Sequence, residues 1–275
     1  MKLVSFSLED GRVRPGALVD GETVVDLGAI YPDALAVIRA GLSRSPEGPR
    51  HPIASVRLHA PLPNPPRVFA IGLNYRDHAK ESGQPVPATP VVFFKMTTSI
   101  VGAGEPIVLP KNSTQPDYEA EFAFVIGKGG YRIPAASWRE HVYGYTIVND
   151  VSARDVQFAT SQWNLSKSFP SFCPMGPAIV SANEIADPHA LAIGLSIDGE
   201  TMQDSSTKEL VFGIPALIEY ISSITPLLPG DIVSTGTPPG VGLARKPPRW
   251  LKAGDTVTVT VEGLGSLTNP VVAEA

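Results

Sequence analysis

The stretch Asp117-Tyr118-Glu119-Ala120-Glu121-Phe122-Ala123-Phe124-Val125-Ile126-Gly127 decides how the chain is read. From Glu121 onward it is a continuous apolar run closed by a glycine, the pattern of a largely buried strand. Side chains alternate along a strand, so Glu119 and Glu121 point to one face while Tyr118 and Ala120 point to the other. Two carboxylates at the mouth of a buried strand repel each other and are costly to desolvate, so positive charge is expected between them. A second apolar strand, Val142-Tyr143-Gly144-Tyr145-Thr146-Ile147-Val148-Asn149-Asp150, also ends in a carboxylate. Three carboxylates converging from two strands suit a hard divalent cation with open positions, magnesium or manganese. The competing reading is a pair of solvated edge glutamates with an Asx turn at Asn149-Asp150, and spacing alone does not separate the two.

The chain around this stretch has 275 residues, 43% of them hydrophobic and 18% charged, enough to bury a large core without disulfides. Its 22 basic and 27 acidic residues give a formal charge of -5, and no Lys/Arg stripe appears, which argues against nucleic acid as a partner. The single cysteine, Cys173, fits a reducing compartment. The start, Met1 to Phe6, lacks the apolar core of a signal peptide, and no apolar run approaches spanning length. A cytoplasmic protein without membrane association is expected. Its 28 prolines and 25 glycines favour many short strands and turns over a helical bundle.

Leu3 to Leu27 reads as short strands broken by Asp10-Gly11 and Asp20-Gly21. Asp33 to Ala40 reads as a short helix stopped by Gly41. Pro61-Leu62-Pro63-Asn64-Pro65-Pro66 is stiff and extended, and divides the chain into a small β/α module, 1–64, and a main domain, 65–275. Beyond strand Arg67 to Gly72, Asn74 is an N-cap candidate for a helix from Tyr75 to Ser82. His78 and Glu81 then share a face and can hydrogen-bond. Val91 to Lys95 is strand-like, Val151 to Gln157 and a mixed segment through Trp163 are expected to be helical, and Lys167 to Pro177 is expected to be an irregular loop. Asp198-Gly199 marks a hairpin turn. Ile214 to Ile224 is the best amphipathic helix, and strands at Thr256 to Val261 and Leu267 to Val272 close the chain.

Taken together, several segments resemble the fumarylacetoacetate hydrolase family. They are Ile71-Gly72-Leu73-Asn74-Tyr75 with His78, Asp117 to Glu121, Asn149-Asp150-Val151-Ser152-Ala153-Arg154-Asp155, and Lys167-Ser168-Phe169. Pro229-Gly230-Asp231-Ile232 and Thr235-Gly236-Thr237-Pro238 with Gly240-Val241-Gly242 follow in the family's order. Each piece alone is weak, but their joint occurrence is specific. The resemblance implies an α+β, mostly β fold: a mixed β-sandwich roll with short peripheral helices and a small amino-terminal module. It also suggests a homodimer.

Position by position, the resemblance makes Glu119, Glu121 and Asp150 ligands of magnesium or manganese, with calcium able to replace them in a crystal. It makes His78 a base that is oriented by Glu81 and takes a proton from water, and Lys167 a cation facing the substrate's developing negative charge. Gln157, Thr237 and Arg76 become candidates for substrate binding. The loop at Thr237 lacks the Gly-Lys-Ser/Thr ending of a nucleotide-binding loop. Arg154 and Asp155 read as a structural pair, and Cys173 as packing. Pro170 departs from the family, many members of which carry aspartate there, and so puts the position of the lysine loop in question. Specificity is expected from Pro85 to Pro90, Trp163 and Arg245 to Trp250. The leading expectation is metal-assisted hydrolysis of a carbon–carbon bond in a 2,4-dioxo acid of the acylpyruvate or fumarylpyruvate type. The alternatives are an oxaloacetate-like 2-oxo acid decarboxylase, or an isomerase or tautomerase of 2-hydroxy-dienedioates from aromatic-ring breakdown. A scaffold that keeps the fold without turnover would have no use for this set of acids and histidine.

Overall fold

The computed structural model describes residues 1–275 except Ser82. The amino-terminal segment forms β1 (Lys2–Ser7), β2 (Arg14–Val19) and β3 (Thr23–Asp26), then α1 (Ala34–Arg39), β4 (Arg50–Pro52) and β5 (Arg57–His59). After the proline stretch come β6 (Val68–Gly72), α2 (Arg76–Glu81), β7 (Val91–Lys95), β8 (Ile100–Val101) and β9 (Ile107–Leu109). Next are β10 (Pro116–Asp117), β11 (Ala120–Ile126), α3 (Trp138–His141), β12 (Val142–Asn149), β13 (Ser152–Ala153) and α4 (Arg154–Gln157). The carboxyl-terminal part carries β14 (Cys173–Ser181), the hairpin β15 (Ala192–Ile197) and β16 (Glu200–Ser206), and α5 (Ile214–Ile224). It ends with β17 (Ile232–Ser234), β18 (Thr256–Val261) and β19 (Gly265–Ala273).

The strands form a mixed sheet in the order β4-β3-β2-β1-β14-β12-β11-β17-β6-β7, and a second sheet in the order β16-β15-β18-β19-β9. Every residue of β11 is buried because both of its faces are covered. Phe122, Phe124 and Ile126 pack into the core shared with Leu195, Val257 and Val259 of the second sheet. Ala123 and Val125 face a separate core with Leu3, Val37, Ile38 and Ile232. The expected mostly β sandwich is therefore the observed one, with helices confined to short peripheral pieces. The chain passes from β5 to β6 through the proline stretch, yet β1 pairs directly with β14, with Lys2 opposite Val180.

Local chemistry explains the helices and turns. Asp33 caps α1 by accepting from the Ala36 N–H at 2.8 Å. Along α5, Ile214, Leu217, Ile218 and Ile221 are buried on one face, as their spacing predicts. Asp198 (φ 52°) and Gly199 (φ 85°) form the two-residue hairpin turn.

Other expectations are corrected. Asn74 is no N-cap: its amide donates to the Phe212 and Thr235 carbonyls and its oxygen accepts from the Phe212 N–H, so it joins three chain segments. The helix after it runs from Arg76 to Glu81, and Ser82, its expected last residue, lies outside the described residues. Between Val151 and Trp163 only Arg154–Gln157 is helical. The proline-bearing segment is not loop throughout, because β14 starts at Cys173. Its prolines are tolerated because Pro174 sits where the strand pairs with the two-residue β8, and Pro177 sits where the register against β12 is irregular.

Topology gathers the site at one end of the large sheet. Antiparallel pairing sets Ala120 opposite Asn149, so the start of β11 and the end of β12 carry their acids to the same place. Antiparallel β17 brings the loop that begins at Thr235 there too. Parallel pairing of β6 with β17 delivers Gly72 and then α2 to that same end.

Candidate active site

Glu119, Glu121 and Asp150 are all buried, and one carboxylate oxygen from each lies within 4.8 Å of the others. The backbone locks this arrangement. Asp150 N–H donates to the Glu119 carbonyl at 2.9 Å, and Glu119 N–H donates to Asn149 Oδ1 at 3.1 Å. Gln203 accepts from the Ala120 N–H at 2.8 Å and donates to Thr237 Oγ1 at 2.9 Å, tying the acidic strand to the Thr237 loop.

Cations thread between these acids. Lys167 Nζ lies 2.7 Å from Glu119 Oε2 and 2.7 Å from Asp150 Oδ2. Lys95 Nζ lies 2.6 Å from Asp150 Oδ1 and also donates to the Lys167 carbonyl. Arg154 donates through Nη2 to Glu119 at 2.6 Å, through Nε to Asp117 at 2.8 Å, and through Nη1 to Gln157 at 2.9 Å. Arg154 thus holds the acids of the site and not Asp155, correcting the expected pair. Asp155 instead accepts from Ser113 and Thr114. Asp117 also accepts from the N–H groups of Gly242 and Leu243, which anchors that loop over the cluster.

Charge divides the acids into two kinds. Burial would raise the Glu119 carboxyl, but Lys167 and Arg154 overcome it and draw its pKa down to about 2. Glu121 behaves oppositely: burial, then the charges of Asp150 and Glu119, push it well above the ordinary carboxylate value. Its oxygen accepts from neutral donors, Ser234 Oγ and the Gly236 N–H. Burial would lower Lys167, and Asp150 and Glu119 more than offset it, so the ammonium form is held.

The donor set is all oxygen, with one carboxyl whose ionisation awaits further positive charge. These residues fit a hard divalent cation, with Glu119, Glu121 and Asp150 as the groups that could hold it.

His78 and Glu81 line the same cavity, of about 490 Å³, as the three acids. His78 Nδ1 is 3.1 Å from Glu81 Oε2. The Gly240 N–H in turn donates to both Glu81 oxygens, at 3.0 and 3.2 Å. Gly240 has φ +100°, and a Cβ there would stand 2.1 Å from the Met202 carbonyl oxygen, so glycine alone brings its N–H to that position. Lys167, Gln157 and Thr237 also line the cavity.

Arg76 does not. Its guanidinium donates to the Leu210 carbonyl at 2.7 Å, away from the cavity, because α2 turns that side of the helix toward the segment after β16. Of the expected specificity segments, Trp163 lines the cavity, whereas Arg245 donates to the Tyr118 hydroxyl and Arg249 pairs with Asp255. Gln84, Leu243 and Ala244 take the places expected of their neighbours. Pro170 is exposed, and Lys167 reaches the acids regardless. Sequence reasoning misses Lys95 and Gln203. The available signal for Lys95 was a lysine closing the apolar run Val91-Val92-Phe93-Phe94, and Gln203 has none, since glutamine in a hairpin strand is ordinary.

The chain is similar to several known proteins. Residues 67–272 match the family model described as fumarylacetoacetate (FAA) hydrolase C-terminal. A mitochondrial oxaloacetate tautomerase of Xenopus laevis is 43% identical over 288 residues, covering 99% of this chain and 90% of that protein. The crystal structure of a 5-carboxymethyl-2-hydroxymuconate delta-isomerase from Mycobacterium smegmatis is 37% identical with a TM-score of 0.84, covering 100% of both chains. A maleylpyruvate hydrolase from Sphingobium sp. SYK-6, solved with manganese(II) and pyruvate, is 28% identical with a TM-score of 0.82 and the same full coverage. Among the described residues no helix is long and apolar enough to cross a membrane.

Proposed function

The chain belongs to the fumarylacetoacetate hydrolase family, and from that premise we propose that it is a divalent-metal-dependent enzyme interconverting the keto and enol forms of a small 2-oxo acid. The observation that carries this reading is that the acid triad, Lys167 and the His78–Glu81 pair all line one cavity. Enolate formation uses every one of them and needs no second reactant. The full-length kinship with an oxaloacetate tautomerase supports proton transfer over carbon–carbon cleavage.

A bound magnesium or manganese ion would supply Lewis acidity at the 2-oxo oxygen and so acidify the neighbouring carbon. Glu119, Glu121 and Asp150 would hold it. With Nδ1–H donated to Glu81, Nε2 is the basic nitrogen of His78. Nε2 takes the proton from C3. Lys167, an ammonium beside Glu119 and Asp150, stabilises the negative charge that moves onto oxygen. Delivering a proton to that oxygen gives the enol, and delivering it to carbon restores the ketone. No carbon–carbon bond breaks in either direction.

The same residues can serve hydrolysis of an acylpyruvate if His78 deprotonates water instead, and the kinship with a maleylpyruvate hydrolase supports this second reading. Product analysis separates them. Oxaloacetate and acylpyruvates are incubated with magnesium or manganese, and again after chelation, while enol absorbance, pyruvate and carbon dioxide are followed. Metal-dependent loss of the enol signal without new pyruvate is expected. Stoichiometric pyruvate with a second acid would replace tautomerisation by hydrolysis, and carbon dioxide would replace it by decarboxylation.

A further inference from the structure

We infer that Tyr118 and Arg245 are positioning residues for His78, acting through the backbone of Gly240 and the carboxylate of Glu81. This rests on the reading of His78 as the base, and adds to it two residues that do not line the cavity.

Glu81 needs a clamp. It is the last residue of the six-residue α2 and is exposed, so the helix leaves its side chain free to change rotamer. The Gly240 N–H removes that freedom by donating to both Glu81 oxygens, at 3.0 and 3.2 Å. Glu81 Oε2 in turn meets His78 Nδ1 at 3.1 Å. The place of one backbone N–H therefore sets the direction in which the imidazole points.

That N–H is held from behind. The Tyr118 hydroxyl donates to the Gly240 carbonyl at 3.1 Å and accepts from Arg245 Nε at 3.1 Å. A guanidinium only donates and a carbonyl only accepts, so the hydroxyl has a single orientation. Arg245 Nη2 also donates to the Met202 carbonyl at 2.8 Å. This is the oxygen against which the Gly240 Cα is packed, where a Cβ would stand 2.1 Å away. Gly240 is thus gripped at its N–H, its carbonyl and its Cα.

Tyr118 is fully buried and immediately precedes Glu119, which does line the cavity. Asp117, one residue earlier, accepts from the N–H groups of Gly242 and Leu243 at 2.7 and 3.0 Å. The short run Asp117 to Glu119 therefore carries an acid of the triad and also fixes the loop behind Glu81. Base and triad are kept in register by one rigid piece of chain. None of the contacts made by Tyr118 and Arg245 involves Glu119, Glu121 or Asp150, so they do not depend on what the triad holds.

The test follows the ring nitrogens of His78 by NMR of nitrogen-labelled histidine, in metal-free protein at alkaline pH where the rings are neutral. In parallel, kcat and KM are measured for keto–enol conversion of oxaloacetate by the magnesium-loaded protein. Wild type is expected to show the Nδ1–H form at His78, because Glu81 accepts there. Tyr118→Phe removes one oxygen and keeps the ring in the core. It should lower the Nδ1–H fraction of His78 and leave KM unchanged. It should also lower kcat by about tenfold, within the roughly 10²-fold that an ångström of misplacement can cause. The signals of His51, His59, His141 and His189 should not move, as they would in a general loosening of the fold. Arg245→Met should act in the same direction. Arg245→Lys, whose one ammonium can reach Tyr118 or the Met202 carbonyl but not both, should restore part of the effect. An unchanged His78 ring form in both Tyr118→Phe and Arg245→Met overturns the inference, as does a fall in kcat accompanied in both by shifts of all five histidines. If the His78 ring form responds as expected while wild type converts no oxaloacetate, the positioning role stands and the proposed reaction falls.

Discussion

Lys95 and Lys167 grip opposite oxygens of Asp150, at 2.6 Å from Oδ1 and 2.7 Å from Oδ2. The two lysines differ in what else they hold. Lys167 also reaches Glu119 and lines the cavity, whereas Lys95 is fully buried behind Asp150 and contacts backbone carbonyls.

Lys95→Met should therefore act first on stability. It leaves a buried carboxylate short of one partner, a change that costs roughly 3–5 kcal/mol when a buried pair is broken. Urea denaturation measures this, and combining the variant with Asp150→Asn should recover part of the loss, because the uncompensated charge is then gone.

Glu121 predicts how the protein responds to metal. Its carboxyl, raised by burial and by its acidic neighbours, must ionise to act as a ligand, so metal affinity should increase with pH as that group loses its proton. At a hundredfold excess over Kd, magnesium or manganese should stabilise the wild type by about 2.7 kcal/mol. Glu121→Gln should be at least as stable as wild type without metal and should lose most of the metal-induced rise in Tm. Differential scanning calorimetry with and without chelator reads both.

His78→Ala should lower kcat by about 10²–10⁴-fold, the usual contribution of a general base. Glu81→Gln should lower kcat less, since it preserves the side-chain shape but weakens the orientation of the imidazole. Neither should change the metal-dependent shift in Tm, because neither belongs to the acid triad.

His189 supplies an acid-sensitive contact far from chemistry. Its Nε2 accepts from the Ile214 N–H at 3.1 Å and so caps α5, whose own Gly213 offers no side chain. Burial lowers its pKa from the ordinary 6.5, with Asp187 partly opposing. The folded state thus binds the proton less readily than the unfolded chain. This contribution is complete above about pH 6.5 and is lost as pH falls from there through the depressed value. His189→Gln should flatten the acid side of the stability–pH profile, measured by urea denaturation between pH 7.5 and 5.

How far the sequence discloses the site depends on what kind of neighbour each residue has. Glu119, Glu121 and Asp150 are legible because strand alternation and an antiparallel neighbour suffice to bring them together. His78 and Glu81 are legible because they stand three positions apart on one helix. Arg154 is misread because its partners are not its sequence neighbour Asp155 but Asp117 and Glu119, more than thirty residues earlier. Asn74 is misread for a similar reason: a polar residue before a helix is locally a cap, and only the folded chain presents it with Phe212 and Thr235. Lys95 gives no local sign of the carboxylate that makes its burial tolerable.

The seam between β1 and β14 has a practical consequence. Leu3 stands opposite Ile179, and Ser181 N–H donates to the Met1 carbonyl, so the first residues complete the very sheet that carries Asn149 to the centre. A truncated protein starting at Arg67 would present an open strand margin and bare the hydrocarbon surface around Val125, Ile179 and Ile232. Such a fragment is a candidate for precipitation, and the opening sixty residues are better regarded as the lining that keeps the catalytic half from sticking to itself.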